Sequence, residues 1–100
     1  MMSAMSVYII LDIEVTDPVV YEEYKKRSTG AAAAFGGRFV VRGGKAEVWE
    51  GEWKPSRVVV LEFESVARAR EWYGSDLYRP ARALREASAR TSMIVVEGAS

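Results

Sequence analysis

Several charged side chains sit at alternating positions of extended-looking segments: Asp12, Glu14, Arg38, Arg42, Glu62 and Glu64. Arg38 and Arg42 are four residues apart, so an uninterrupted strand presents both guanidiniums on one face. There they can grip a carboxylate or an enolate-like oxygen through forked N–H donors. Glu62 on the same face would act as proton acceptor, its pKa raised by burial. Arg42 and Glu62 are the expected catalytic pair, with Arg38 holding substrate. A plainer reading gives the same residues as Arg–Glu bridges across strands or between two copies of the chain.

A second cluster is aromatic. Tyr21, Tyr24, Trp72, Tyr73 and Tyr78 recur on helix-like segments, with Trp49 and Trp53 near a turn. A cleft lined by such groups suits a flat organic ligand, oriented by phenol and indole donors, and Tyr24 and Trp72 are the expected slot. Aromatic residues at helical spacing also read as ordinary core. Trp53 reads equally as a dimer anchor.

The absences narrow the chemistry. The 100 residues contain no Cys, His, Asn or Gln. Disulfides, thiolate nucleophiles, imidazole bases and His- or Cys-bound metals are excluded. Asp12, Glu14, Glu62 and Glu64 are the residue types that hold a hard cation, but Arg38 and Arg42 compete for them, so neither metal nor cofactor is expected. Basic and acidic residues balance at 14 each. That balance offers no basic stripe for nucleic acid. GGRFVVRGG lacks the alternating aromatics of an RNA-recognition strand and the Lys-Ser/Thr ending of a phosphate loop. No apolar run is long enough to span a membrane, and the opening residues show no basic segment leading into a cleavable apolar one. A single cytoplasmic domain over residues 1–100 is expected, ordered from about 7 to 98.

The elements follow from periodicity. Val7 to Val15 alternate, with Val7, Ile9, Leu11, Ile13 and Val15 on one face and Tyr8, Ile10, Asp12 and Glu14 on the other. Asp17-Pro18 opens a helix whose inner stripe is Tyr21, Tyr24, Ser28, Ala31 and Phe35, ended by Gly36-Gly37. Arg38 to Glu50 is extended, with Gly43-Gly44 taken as a bulge rather than a hairpin turn. Gly51 to Ser56 connects to a strand over 57–64. Ser65 caps a helix ending at Gly74, and a second helical stretch carries Leu77, Ala81, Leu84 and Ala87 as its stripe. Thr91 to Glu97 is the last strand. The order predicts an α+β, ferredoxin-like split β-α-β fold, a four-stranded antiparallel sheet with the helices on one face.

That arrangement leaves Tyr8, Ile10, Val40, Val58 and Val60 on the other face. Four strands at about 4.8 Å spacing and some 16 Å length make roughly 300 Å² of footprint. An apolar patch of that size marks an interaction site, and a second copy of the chain is the expected cover.

Tyr8-Ile-Ile-Leu, Asp17-Pro18 to Tyr24, GGRFVVRGG at 36–44, EGEWKPSRVVVLEFES at 50–65 and AREWYGSDLY at 69–78 together resemble the bacterial family called domain of unknown function 1330. The resemblance runs from about Val7 to Gly98. It implies a dimeric α+β barrel of the kind shared with small monooxygenases, isomerases and haem-degrading proteins. The family pattern favours Pro where Glu64 stands and Asn where Gly74 stands, so any role of a side-chain amide is lost here. The expected function is a homodimeric enzyme acting on a small organic molecule by proton transfer, isomerisation or cofactor-independent oxygenation. The alternative is a non-catalytic dimeric ligand-binding or structural module. A cavity of about 300 Å³ reached by two of the polar groups separates the two.

Overall fold

The computed structural model describes residues 6–99. The opening residues 1–5, on which part of the localisation expectation rests, lie outside them. Seven elements run in the order β1 (Val7–Val15), α1 (Pro18–Ala34), β2 (Arg38–Arg42), β3 (Val58–Phe63), α2 (Val66–Tyr73), α3 (Arg79–Ser88) and β4 (Ala89–Glu97). The strands form one antiparallel sheet in the order β2-β3-β1-β4, which is the ferredoxin-like arrangement.

Alternation in β1 does what its pattern predicts: Val7, Ile9, Leu11 and Ile13 are buried under the helices, while Tyr8, Ile10 and Asp12 are only half-buried on the open face. In α1 the Asp17 carboxylate accepts from the Val19 and Val20 N–H groups at 3.2 Å, and Pro18 stands in the first turn. These contacts satisfy helix donors that have no backbone partner. The helix buries Tyr21, Tyr24, Ser28, Ala31 and Ala32. Gly37 follows because a side chain there would strike the Phe63 ring. Ser65 caps α2 by accepting from the Arg68 N–H at 3.1 Å.

Three expectations are corrected. The strand that opens at Arg38 stops at Arg42, and residues 43–57 form a connection outside the sheet rather than a strand continuing to Glu50. Gly43, at φ 75°, turns the chain while its N–H bonds the Val58 carbonyl at 2.8 Å. The bulge lies earlier, between Phe39 and Val41. One extra residue in a strand reverses the face of everything after it. Arg38 therefore pairs opposite Glu62 on the open face, whereas Arg42, opposite Val59, turns towards α1. In α3 the buried stripe is Ala81, Arg85 and Ser88, continuing Tyr78, and Leu77 is exposed. The apolar residue types mislead there because two of the inward positions are polar.

Packing is uneven across the sheet. α1 and α3 lie side by side, and the short α2 bridges β1 and β3. β4, at the sheet edge, is left thinly covered, with Val95 half-exposed on the helix side. The open face carries Tyr8, Ile10, Val58, Val60, Ile94 and Val96.

Candidate functional site

Thin cover over β4 creates a cleft. It has a volume of about 410 Å³ and lies between α2 and the β1–β4 half of the sheet. Ile9, Val66, Ala69, Met93 and Val95 make its apolar walls, Trp72 and Tyr73 its aromatic ones, and Arg70 is its charged member. Trp72 packs against Phe63 at 5.2 Å, Tyr73 at 6.0 Å and Tyr78 at 4.4 Å between ring centroids, so its indole is fixed. Its Nε1 is closed to solvent and has no hydrogen-bond partner. Leaving such a donor unpaired costs about 1–3 kcal/mol.

Near Trp72 the helix layer holds a polar cluster. The Tyr24 and Tyr78 hydroxyls are 3.2 Å apart, and Tyr78 is wholly buried. Burial, followed by the neighbouring Tyr24, pushes the Tyr78 phenol well above its usual range, so it remains protonated. Arg85 is 6% exposed, its Nε is unpartnered, and it makes no ion pair among the described residues. Ser28 adds another hydroxyl without a partner. The layer therefore combines phenol and guanidinium donors with a dry surrounding, which is the composition that stabilises negative charge on an oxygen.

The residues expected to form one site fall in three places. Arg38 and Glu62 meet on the open face: the Arg38 Nε donates to Glu62 Oε1 at 2.7 Å, its second nitrogen lies at the same distance, and the Tyr8 hydroxyl donates to Oε2 at 3.2 Å. The Ser6 hydroxyl, and then Arg38, hold the Glu62 carboxyl below its ordinary value, the reverse of the expected rise. A carboxylate so stabilised is a bridge acceptor and a weak base. Arg42 sits across the sheet from this pair, donating to Thr29 Oγ1 at 2.9 Å and the Lys25 carbonyl at 3.0 Å. Only Tyr24 and Trp72 share the helix layer, and of the five only Trp72 lines the cleft. Near the open face, Asp12 accepts from the Trp53 indole and the Ser56 N–H, both at 2.9 Å, which ties the 43–57 connection back to the sheet.

Sequence reasoning missed Arg85, Met93 and Val95. Arg85 follows Tyr78 and Ala81 at spacings of seven and four, the helical interval that could have marked it. Nothing local distinguishes Met93 and Val95 from other strand positions.

The strand order and the helices on one face define a ferredoxin-like α+β protein. Residues 6–99 match the model of the family described as domain of unknown function (DUF1330), and the chain belongs to that family. Among solved structures, a protein of unknown function from Rhodopseudomonas palustris is similar at TM-score 0.80 and 18% identity, over 96% of this chain and 84% of that one. SnoaB, a cofactor-independent oxygenase from Streptomyces nogalater, is similar at TM-score 0.71 and 16% identity, over 97% and 96% of the two chains. A hypothetical Arabidopsis thaliana protein matches at TM-score 0.65 and 13% identity, over 99% and 91%. No curated protein sequence matches the chain.

Proposed function

We propose that the chain is a small cytoplasmic homodimeric enzyme, one domain per copy, that takes a flat, mainly apolar organic molecule into the cleft beside Trp72. It acts there by proton transfer, isomerisation or cofactor-independent oxygenation. The observation that carries the reading is the 410 Å³ apolar cleft walled by the fixed Trp72 and by Tyr73, with Arg70 at its side. The ligand would pack against Trp72 and Tyr73, and the exposed Arg70 would meet any anionic substituent. Tyr24, Tyr78 and Arg85 support Trp72 and add positive potential from the layer around it. The oxygenase activity of a similarly folded protein supports this class of chemistry by analogy of fold. The second copy covers the apolar open face, where Arg38–Glu62 is a rim bridge rather than part of the chemistry.

One observation favours the non-catalytic reading: no carboxylate lines the cleft, so the ligand would have to bring its own acidity. Both readings predict binding, and turnover separates them. With Trp49 and Trp53 replaced by Phe, Trp72 is the sole emitter of the three tryptophans. Titration with 1-naphthol is expected to quench it saturably, and Val95→Phe, which fills the cleft, to abolish the effect. Quenching that is linear, or unchanged by Val95→Phe, overturns the site. Dioxygen uptake in step with loss of a naphthol-type substrate, abolished by Val95→Phe, identifies the oxygenase. Saturable binding without turnover of oxidisable or enolisable ligands identifies the binding module.

A further inference from the structure

The Arg42 side chain that the bulge sends away from Glu62 enters a second depression, of about 370 Å³, at the opposite side of the helix layer. Its lining is Glu22, Lys25, Lys26, Thr29, Arg42 and Arg57, four cations against one carboxylate in a chain whose formal charge is zero. Glu22 is occupied by the Lys25 ammonium at 2.8 Å. No other acid faces the remaining cations among the described residues of the groove.

Both guanidiniums are held in place rather than free in solvent. Arg42 is pinned by its bonds to Thr29 and the Lys25 carbonyl and lies over the Phe39 ring at 3.8 Å. Arg57 lies over the Tyr21 ring at 5.6 Å, with its Nε closed to solvent and unpartnered. Its guanidinium lies against the Gly43 backbone, in the space that a side chain there would enter, and the φ of 75° favours glycine at that turn. The Arg-Gly-Gly end of the 36–44 block and the distant Arg57 thus serve one construction. Clustered like charges destabilise a fold unless an anion joins them. Pre-ordered guanidinium forks favour multiply charged oxyanions, with two lysines adding non-directional attraction.

We propose that this groove binds the phosphate end of a small phosphorylated molecule, independently of the cleft beside Trp72. Calorimetric titration with pyrophosphate at low salt tests it, together with amide NMR shifts. Binding is expected with shifts centred on Gly43, Arg57 and the Lys25–Thr29 turn, weakened about ten-fold or more by Arg57→Gln and by Arg42→Gln. Lys26→Gln, on the exposed helix surface, gives the same direction of change and leaves the Glu22–Lys25 pair intact. Orthophosphate binding as tightly as pyrophosphate narrows the ligand to a monophosphate and supports the site. Citrate binding as tightly as pyrophosphate overturns the preference for phosphate. Absence of binding at 10-fold above millimolar ligand, shifts elsewhere, or affinity unchanged in the lysine variant overturns the site itself.

Discussion

The two faces of the sheet are built from the same strands and share the same backbone ladder, yet they end in different states. On the helix side, β1 and β3 contribute Val7, Ile9, Leu11, Ile13, Val59, Leu61 and Phe63, all at most 5% exposed. On the other side, Tyr8, Ile10, Val58 and Val60 are half-buried and Ile94 is 59% exposed. The Arg38–Glu62 bridge and, at 3.7 Å, Arg90–Glu14 flank that apolar middle. An apolar centre with a polar margin is the anatomy of a protein interface. The contrast teaches that one face finds its cover within the chain while the other is left open, the face that the proposed second copy would cover. Ligand chemistry is then left to the helix side, where cover is incomplete only over β4.

The largest effect that sharpens this contrast is Trp72→Ala, expected to cost about 3–5 kcal/mol in urea unfolding, with Leu11→Ala at about 2–5 kcal/mol. Ile10→Glu, one residue along on the opposite face, should leave the helical far-ultraviolet signal intact and split the proposed dimer in size-exclusion chromatography. If Ile10→Glu unfolds the chain as Leu11→Ala destabilises it, the faces do not divide their roles in this way. Asp17→Ala removes the α1 cap and is expected to cost about 1 kcal/mol by the same unfolding measurement, with no effect on assembly.

Acidification gives the smallest effect. The Ser6 and Arg38 contacts hold the Glu62 carboxyl below its ordinary 4.5, and the Trp53 indole, then the Ser56 N–H, hold Asp12 below 3.8. A lowered native pKa favours the charged form, so this stabilisation is complete above pH 4.5 and lost as pH falls through the native values. Thermal unfolding followed from pH 6 to pH 3 should show the decline, reduced in Arg38→Gln and in Trp53→Phe. An unchanged acid limb in both variants would show that these contacts do not hold the carboxylates.

Much of the architecture was legible because its signals are local. The alternation of Val7–Val15, the Asp17-Pro18 and Ser65 caps and the Gly36-Gly37 stop each act within a few residues, and the element order they delimit specifies the sheet. The site was less legible because it depends on offsets that no local signal marks. The bulge within Arg38–Arg42 occurs in a run without Gly or Pro, while the conspicuous Gly43-Gly44 pair ends the strand instead. That shift separates Arg42 from Glu62. The segment 45–50 carries charged and apolar residues in near alternation, but among the described residues no strand forms a ladder with it. Arg85 and Ser88 were hidden by polarity, and the cleft by the shortness of α2, which matters only once β4 lies beyond its reach.

Sedimentation equilibrium at micromolar concentration tests the division between the faces most directly. A particle of twice the 11.2 kDa chain mass is predicted, reverting to a single chain with Ile10→Glu. A wild-type particle of 11.2 kDa, with its apolar sheet face open to water, would contradict the account.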